Sequence, residues 1–99
     1  MPLLSVIIPI YNARTYIEKC IKSIIRQSFW DYELILVDDG SVDGSGYICD
    51  TYAEQDNRIN VIHQLNHGVS AARNAGLDAA SGRYVCFVAA DDWIDTDLF

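Results

Sequence analysis

Ninety-nine residues, 51% of them hydrophobic, make one domain or part of one, with enough apolar mass for a small core. A net charge of −7 excludes a nucleic-acid partner, which asks for a basic face. No apolar run reaches the roughly 18 residues of a membrane span. No basic residue precedes the first apolar run, so no signal peptide is expected either.

Leu4–Ile10 (L-S-V-I-I-P-I) is too uniformly apolar for a half-exposed strand and predicts a buried one. Pro9 cannot donate to a ladder and is expected to mark the strand's end or a bulge. Tyr11-Asn12-Ala13 then forms a loop. Ile17, Cys20, Ile21, Ile24 and Ile25 follow at helical spacing, with Glu18, Lys19, Lys22 and Arg26 on the other face. Thr15 with Glu18 reads as a capping box for this helix, the alternative being an earlier start near Asn12. Glu33–Val37 is a second buried strand, ending on a turn that carries two acids, Asp38-Asp39-Gly40-Ser41. Asp43 and Ser45 are residue types that cap the helix predicted from Gly44 to Glu54, which buries Ile48, Cys49 and Tyr52.

Ile59–His63 is a short third strand. Val69–Ala80 is a helix with an Ala-rich face suited to close packing on a sheet; Ser70 is a candidate cap and Gly82 a candidate C′ residue. Tyr84–Val88 is a fourth apolar strand, running into Ala89-Ala90-Asp91-Asp92-Trp93. The closing stretch to Phe99 reads like the start of a further element, so a truncated fold is expected. The order β-α-β-α-β-α-β predicts an α/β protein, a three-layer α/β/α doubly wound parallel sheet. Cys20, Cys49 and Cys86 are odd in number and widely spaced, which fits free thiols in a reducing, cytoplasmic compartment.

Parallel strands place all their C-terminal ends on one edge, the edge where such sheets bind ligands. That edge collects Tyr11 and Asn12, then Asp38 and Asp39, then Asp91 and Asp92. Carboxylates grip an anion only through a divalent cation, and Mg2+ or Mn2+ suits such ligands together with substrate phosphates. A strand-end carboxylate also accepts hydrogen bonds from a ribose hydroxyl or a base N–H, and Asp39 is placed for that role. Arg73, early in its helix where the macrodipole disfavours a cation, is expected to face an anion or the acidic edge. His63 and His67 lack helical metal spacing and read as a strand and a loop residue.

Four stretches together resemble the family 2 glycosyltransferases of the GT-A fold, which has a Rossmann-like sheet. They are S-V-I-I-P-I-Y-N (Ser5–Asn12), V-D-D-G-S-V-D-G-S (Val37–Ser45), N-H-G-V-S-A-A-R-N-A-G-L (Asn66–Leu77) and G-R-Y-V-C-F-V-A-A-D-D-W (Gly82–Trp93). The resemblance implies that the chain is the donor-binding portion of an enzyme that moves a sugar, with inversion, from a nucleotide-diphosphate sugar to an acceptor hydroxyl. It implies that Pro9 and Tyr11 line the base, often uracil, that Asp39 accepts from the base N3–H, and that Arg73 lies near the base or diphosphate. It further implies that Asp91 and Asp92 contact ribose and the divalent metal. Ala89 stands where the family usually has the first acid of Asp-x-Asp-Asp, which points to a weakened site or, alternatively, a degenerate nucleotide-binding module. No general base is expected within these residues; the resemblance puts it beyond Phe99, with the site for a glycan or lipid-linked acceptor. The parent enzyme would work in the cytoplasm or at the inner face of the membrane, and a half-domain's uncovered surface suggests self-association.

Two other classes fit less well. A receiver-like signalling domain needs an acidic pair after strand one and a late strand-end Lys, and neither is present. A dinucleotide oxidoreductase needs G-x-G-x-x-G after strand one, where Tyr11-Asn12-Ala13 stands instead.

Overall fold

The computed structural model describes residues 2–90. Seven elements alternate: β1 Leu4–Ile10, α1 Arg14–Ile25, β2 Tyr32–Asp39, α2 Ser45–Gln55, β3 Ile59–Gln64, α3 Val69–Ala79 and β4 Tyr84–Phe87. The four strands form one sheet in the order β3-β2-β1-β4, with every pairing parallel. The chain steps from β1 through β2 to β3, and α3 then carries it back to the far side of β1. α1 and α2 therefore cover one face and α3 the other, giving three layers. The direction of winding reverses between β1 and β4, which makes the gap between their C-terminal ends the topological switch point.

Side chains alternate across the sheet. Val6, Ile8, Ile10, Leu34 and Leu36 point to one face, where they pack on Ile17, Cys20, Ile21 and Ile24 of α1 and Cys49 of α2. Ile7, Ile35 and Val37 point to the other and meet Ala72 of α3. Burial on both faces is why these strands read as continuous apolar runs. The α3 layer is thin: a Cβ at Gly76 would run into Ile7, so this helix lies almost directly on β1. None of the three cysteines is in a disulfide, and burial pushes the Cys49 thiol up to about 12. Among the described residues no helix is long and apolar enough to cross a membrane.

The structure moves several expected boundaries. β2 extends through Asp38 and Asp39, which are strand residues paired with His63 and Gln64, and the turn begins only at Gly40. Pro9 lies inside β1, opposite Val37 of β2, and neither ends the strand nor bulges it. Its effect falls on the other ladder. The Ile7 carbonyl accepts from the Val88 amide of the β4 side at 3.0 Å. Pro9, two residues on, faces the same neighbour with no N–H to give, and the β1–β4 pairing stops at Ile7 and Phe87. The sheet thus parts at the switch point while β1 and β2 stay joined as far as Ile10 and Asp38.

Of the expected side-chain caps, those of Thr15, Glu18 and Ser70 do not form, whereas Asp43 Oδ1 accepts from the Ser45 amide, the first of α2, at 3.0 Å. The N-cap positions are Ala13, Gly44 and Gly68, without a side-chain cap bond of their own. Gly82 does not close α3, whose C-cap is Ala80. Its amide instead donates to Ser5 Oγ and to Glu33 Oε2. Glu33 Oε2 also accepts from Ser5 Oγ and from the amide and hydroxyl of Ser81, tying β1, β2 and the approach to β4 at the N-terminal edge. Burial raises the Glu33 carboxyl, but these bonds outweigh it and hold it below its ordinary value.

Candidate functional site

Among the described residues, three adjoining hollows open along the C-terminal edge, and Pro9 lines each of them. The first is a cleft of about 280 Å³ between β1 and α3, bounded by Pro9, Ile10, Tyr11, Asp39, Asn66, Gly68, Val69 and Ala72. Arg73 borders the second, at the parting of β1 and β4, beside Phe87, Val88, Ala89 and Ala90. Tyr11, Asn12 and Tyr16 border the third together with Ala90. The sequence-predicted residues Pro9, Tyr11, Asn12, Asp39 and Arg73 thus gather around the switch point. Asp91 and Asp92, the remaining expected ligands, lie outside the described residues.

Asp39 and Asp38 are separated by the alternation of the strand. Asp39, 4% exposed, turns to the α3 face. Its Oδ1 accepts from Gln64 Nε2 and the His67 amide, and its Oδ2 from the Gly68 amide, each at 2.9 Å. Burial works to raise its carboxyl, yet the bonds from Gln64, His67 and Gly68 prevail and hold it below the usual range. A carboxylate has about four acceptor positions, so three donors leave one open, and this side chain lines the cleft. Asp39 is an ionised acceptor held in place from behind.

Asp38 turns to the α2 face and does not border the cleft. Its Oδ2 lies 2.9 Å from His63 Nδ1, and His63 Nε2 lies 2.8 Å from Asp50 Oδ1 on α2. Both ring nitrogens face carboxylates, an arrangement that the imidazolium satisfies with two donors. Asp50 and Asp38 accordingly raise the His63 pKa, against the opposing effect of burial. Asp38 Oδ1 accepts from the Ser41 amide at 3.0 Å, fixing the start of the β2–α2 loop.

That loop holds the β1–α1 loop in turn. The Asn12 amide donates to Ser41 Oγ and Asn12 Oδ1 accepts from the Val42 amide. Asn12 sits at φ 50°, a left-handed conformation that Asn tolerates. Asp43 Oδ2 accepts from the Arg14 amide and Ser45 Oγ from the Ala13 amide, so α1 is capped by the loop before α2. Gly40, at φ 75°, lets this turn lie against the β3–α3 loop, since a Cβ there would come within 2.8 Å of the Asn66 nitrogen.

Arg73 projects over the Phe87 ring, its guanidinium carbon 5.9 Å from the centroid. The exposed guanidinium stands at the mouth of the gap between β1 and β4, beside the chain leading to Asp91. Among the described residues no group of three His, Cys, Asp or Glu side chains is arranged to hold a metal ion. Asp38 and Asp39 turn to opposite faces of the sheet, each engaged with protein partners there, so the pair does not converge on one ion.

Sequence reading missed the roles of His63, Gln64 and Asp50, and it placed Asp43 at the start of α2 without its bond to α1. The signal for the first two lay in the register: aligning the ends of β2 and β3 sets Asp38 opposite His63 and Asp39 opposite Gln64.

The sequence profile described as Glycosyl transferase family 2 matches residues 5–99. The chain belongs to this family. Among its relatives, "Uncharacterized glycosyltransferase EpsJ" of Bacillus subtilis is 50% identical over the whole chain, which spans 29% of that protein. "Glycosyltransferase GlyA" of Streptococcus pneumoniae is 51% identical over 95% of the chain, which spans 14% of it. The chain therefore covers less than a third of the length of these family 2 relatives. Among solved structures, S. aureus TarS 1-349 in complex with UDP-GlcNAc matches 95% of the chain at 35% identity and a TM-score of 0.88, over 28% of its own length. A mannosyltransferase from Pyrobaculum calidifontis in complex with GDP-Man and Mn2+ matches 93% at 28% identity and a TM-score of 0.86, also over 28% of its length. The fold is the Rossmann-like parallel α/β fold of the family 2, GT-A glycosyltransferases.

Proposed function

We propose that this chain is the donor-binding half of an inverting glycosyltransferase, holding a nucleotide-diphosphate sugar, UDP-linked, for transfer to a glycan or lipid-linked acceptor hydroxyl. The observation that carries the reading is Asp39, a buried, ionised carboxylate with one acceptor position open, in a cleft walled by Pro9 and Tyr11. An N–H flanked by two carbonyls, as in uracil, matches that acceptor. Tyr11, half exposed, offers a ring for a base to stack on. Asn12 supports the adjoining loop, and Arg73 offers a cation to the diphosphate. Asp38 serves the same site at one remove, through Ser41 and the loop that fixes Asn12. The UDP-GlcNAc complex of TarS is further support for a UDP-sugar.

Asp91 and Asp92 carry the metal in this proposal, as Mn2+ or Mg2+; when bound, the ion neutralises the departing diphosphate. This chain, which spans under a third of the length of EpsJ and GlyA, holds the donor, and deprotonation of the acceptor is left to the rest of such an enzyme. Ala89 favours a second reading, a degenerate nucleotide-binding module, because it replaces an acid of the usual motif.

A thermal-shift titration separates the two. UDP and ADP are compared, first with Mn2+ and then with EDTA. Ligand at about 100 times its Kd adds roughly 2.7 kcal/mol, a readable rise for a domain of this size. A Mn2+-dependent rise with UDP and none with ADP is expected. If UDP stabilises the Ala89→Asp variant and not the native chain, the site is degenerate. If neither protein responds, the donor reading fails.

A further inference from the structure

Asp39 owes its orientation to one segment, residues 64–68. Its Oδ1 accepts two bonds, from Gln64 Nε2 and the His67 amide, while its Oδ2 accepts one, from the Gly68 amide. The second acceptor position of Oδ2 is therefore the one left for a ligand. A carboxyl group turns readily about its terminal torsion, so the two oxygens keep distinct roles only while something grips Oδ1. Two of the three donors are backbone amides, present whatever the sequence. Gln64 is the single side chain in the set, and the β2–β3 register sets it directly opposite Asp39.

Resting on the donor reading above, we propose that Gln64 is a positioning residue for base recognition. Its amide pins Oδ1 of Asp39 so that Oδ2 meets the imide N–H of a uracil-type base. Gln64 touches no ligand itself. It sets which pyrimidine the cleft prefers, because a uracil ring has an N–H at N3 to give and a cytosine ring has none.

Among the described residues the surroundings of Asp39 hold few other charges. His67, in the same loop, lowers its carboxyl. From β1 the neighbour across the cleft is Tyr11, and from α3 the nearest cation is Arg73 on the Phe87 side. His63 of β3 is committed to Asp38 and Asp50 on the opposite face. Removing Gln64 therefore removes a specific donor from Asp39 and leaves the other charges in place.

The test compares the native chain with Gln64→Met, which keeps side-chain length without a donor, and Gln64→Glu, which sets a like charge opposite Asp39. Three quantities are read: melting temperature, UDP and CDP affinity, and the pH titration of the Asp39 carboxyl carbon by NMR. With Gln64→Met, UDP affinity should fall about tenfold, CDP affinity should hold, and the Asp39 midpoint should rise. Gln64→Glu should move the midpoint further in the same direction. An equal loss of UDP and CDP, or an Asp39 titration unmoved by either substitution, overturns the proposal. If the native chain binds neither nucleotide while the Asp39 midpoint still shifts, the donor reading falls and Gln64's hold on Asp39 stands.

Discussion

Asp38 and Asp39 are neighbours in sequence, yet the two faces of the sheet treat them differently. On the α2 face Asp38 meets a cation, His63, which Asp50 grips from the far side. On the α3 face Asp39 meets an amide side chain and two backbone amides, and among the described residues it forms no ion pair. The first arrangement neutralises a charge and braces β2 against α2. The second keeps a negative charge intact in a buried place and leaves part of it available. Two adjacent acids at the end of a hydrophobic strand are tolerable because the pleat sends each to a different solution of the desolvation problem.

Removing the uncompensated member should do the most damage. Asp39→Ala strands three donors, each worth about 1–3 kcal/mol when left without a partner. We expect a loss of about 3 kcal/mol, read as a fall in melting temperature of more than 10 °C, together with loss of UDP binding. Because its carboxyl is held below the ordinary value, the stability from Asp39 is present at neutral pH and disappears as pH falls through the lowered value. The acid limb of the stability profile should therefore flatten in Asp39→Ala. A variant as stable as the native chain would mean that the loop needs no such anchor.

Gly40 comes next, since it joins the two loops that the acids organise. Gly40→Ala places a Cβ within 2.8 Å of the Asn66 nitrogen at a φ of 75°. A cost of about 1–2 kcal/mol is expected in urea unfolding, with weaker UDP binding as the cleft wall shifts. Full retention of both would detach the turn from the site.

Asp38→Asn should have the smallest effect and the most informative one. The His63 pKa is raised in the folded chain, so its contribution is fully present below the ordinary histidine value and is lost as pH rises through the raised one. The imidazole is half exposed, so the gap between native and variant stays under about 1 kcal/mol after screening. That gap should be wider near pH 6 than near pH 9, with UDP affinity falling far less than in Asp39→Ala. Equal losses at both pH values would remove the imidazolium from the brace.

Much of this arrangement is written in the sequence, but unevenly. All seven elements are legible: β1 and β2, buried on both faces, and the amphipathic α1 leave strong patterns, while α3 shows in its helix formers and β4 in an apolar run that lies largely exposed. The ends of elements do not. Thr15, Glu18 and Ser70 have the chemistry of caps, yet α1 is closed by Asp43 and Ser45 from a loop some thirty residues away. Local composition carries no trace of such a partner. Likewise Asp39 is legible as a site residue, since an acid ending an apolar strand is conspicuous. Gln64 is not, because its importance arises only when β3 is laid beside β2 in one register.

Glu33 and its bonds to Ser5, Ser81 and Gly82 close the edge opposite the cleft, where β4 joins β1 across nearly the whole length of the chain. This gives assembly an order in time. β1, β2 and β3 with α1 and α2 form a contiguous stretch that can associate as soon as β3 is available. The wall holding Phe87 and the mouth beside Arg73 must wait for the most distant pairing in the sheet, which is slow to find because its loop is long. On a ribosome, the chain would possess a core before it possessed a binding site.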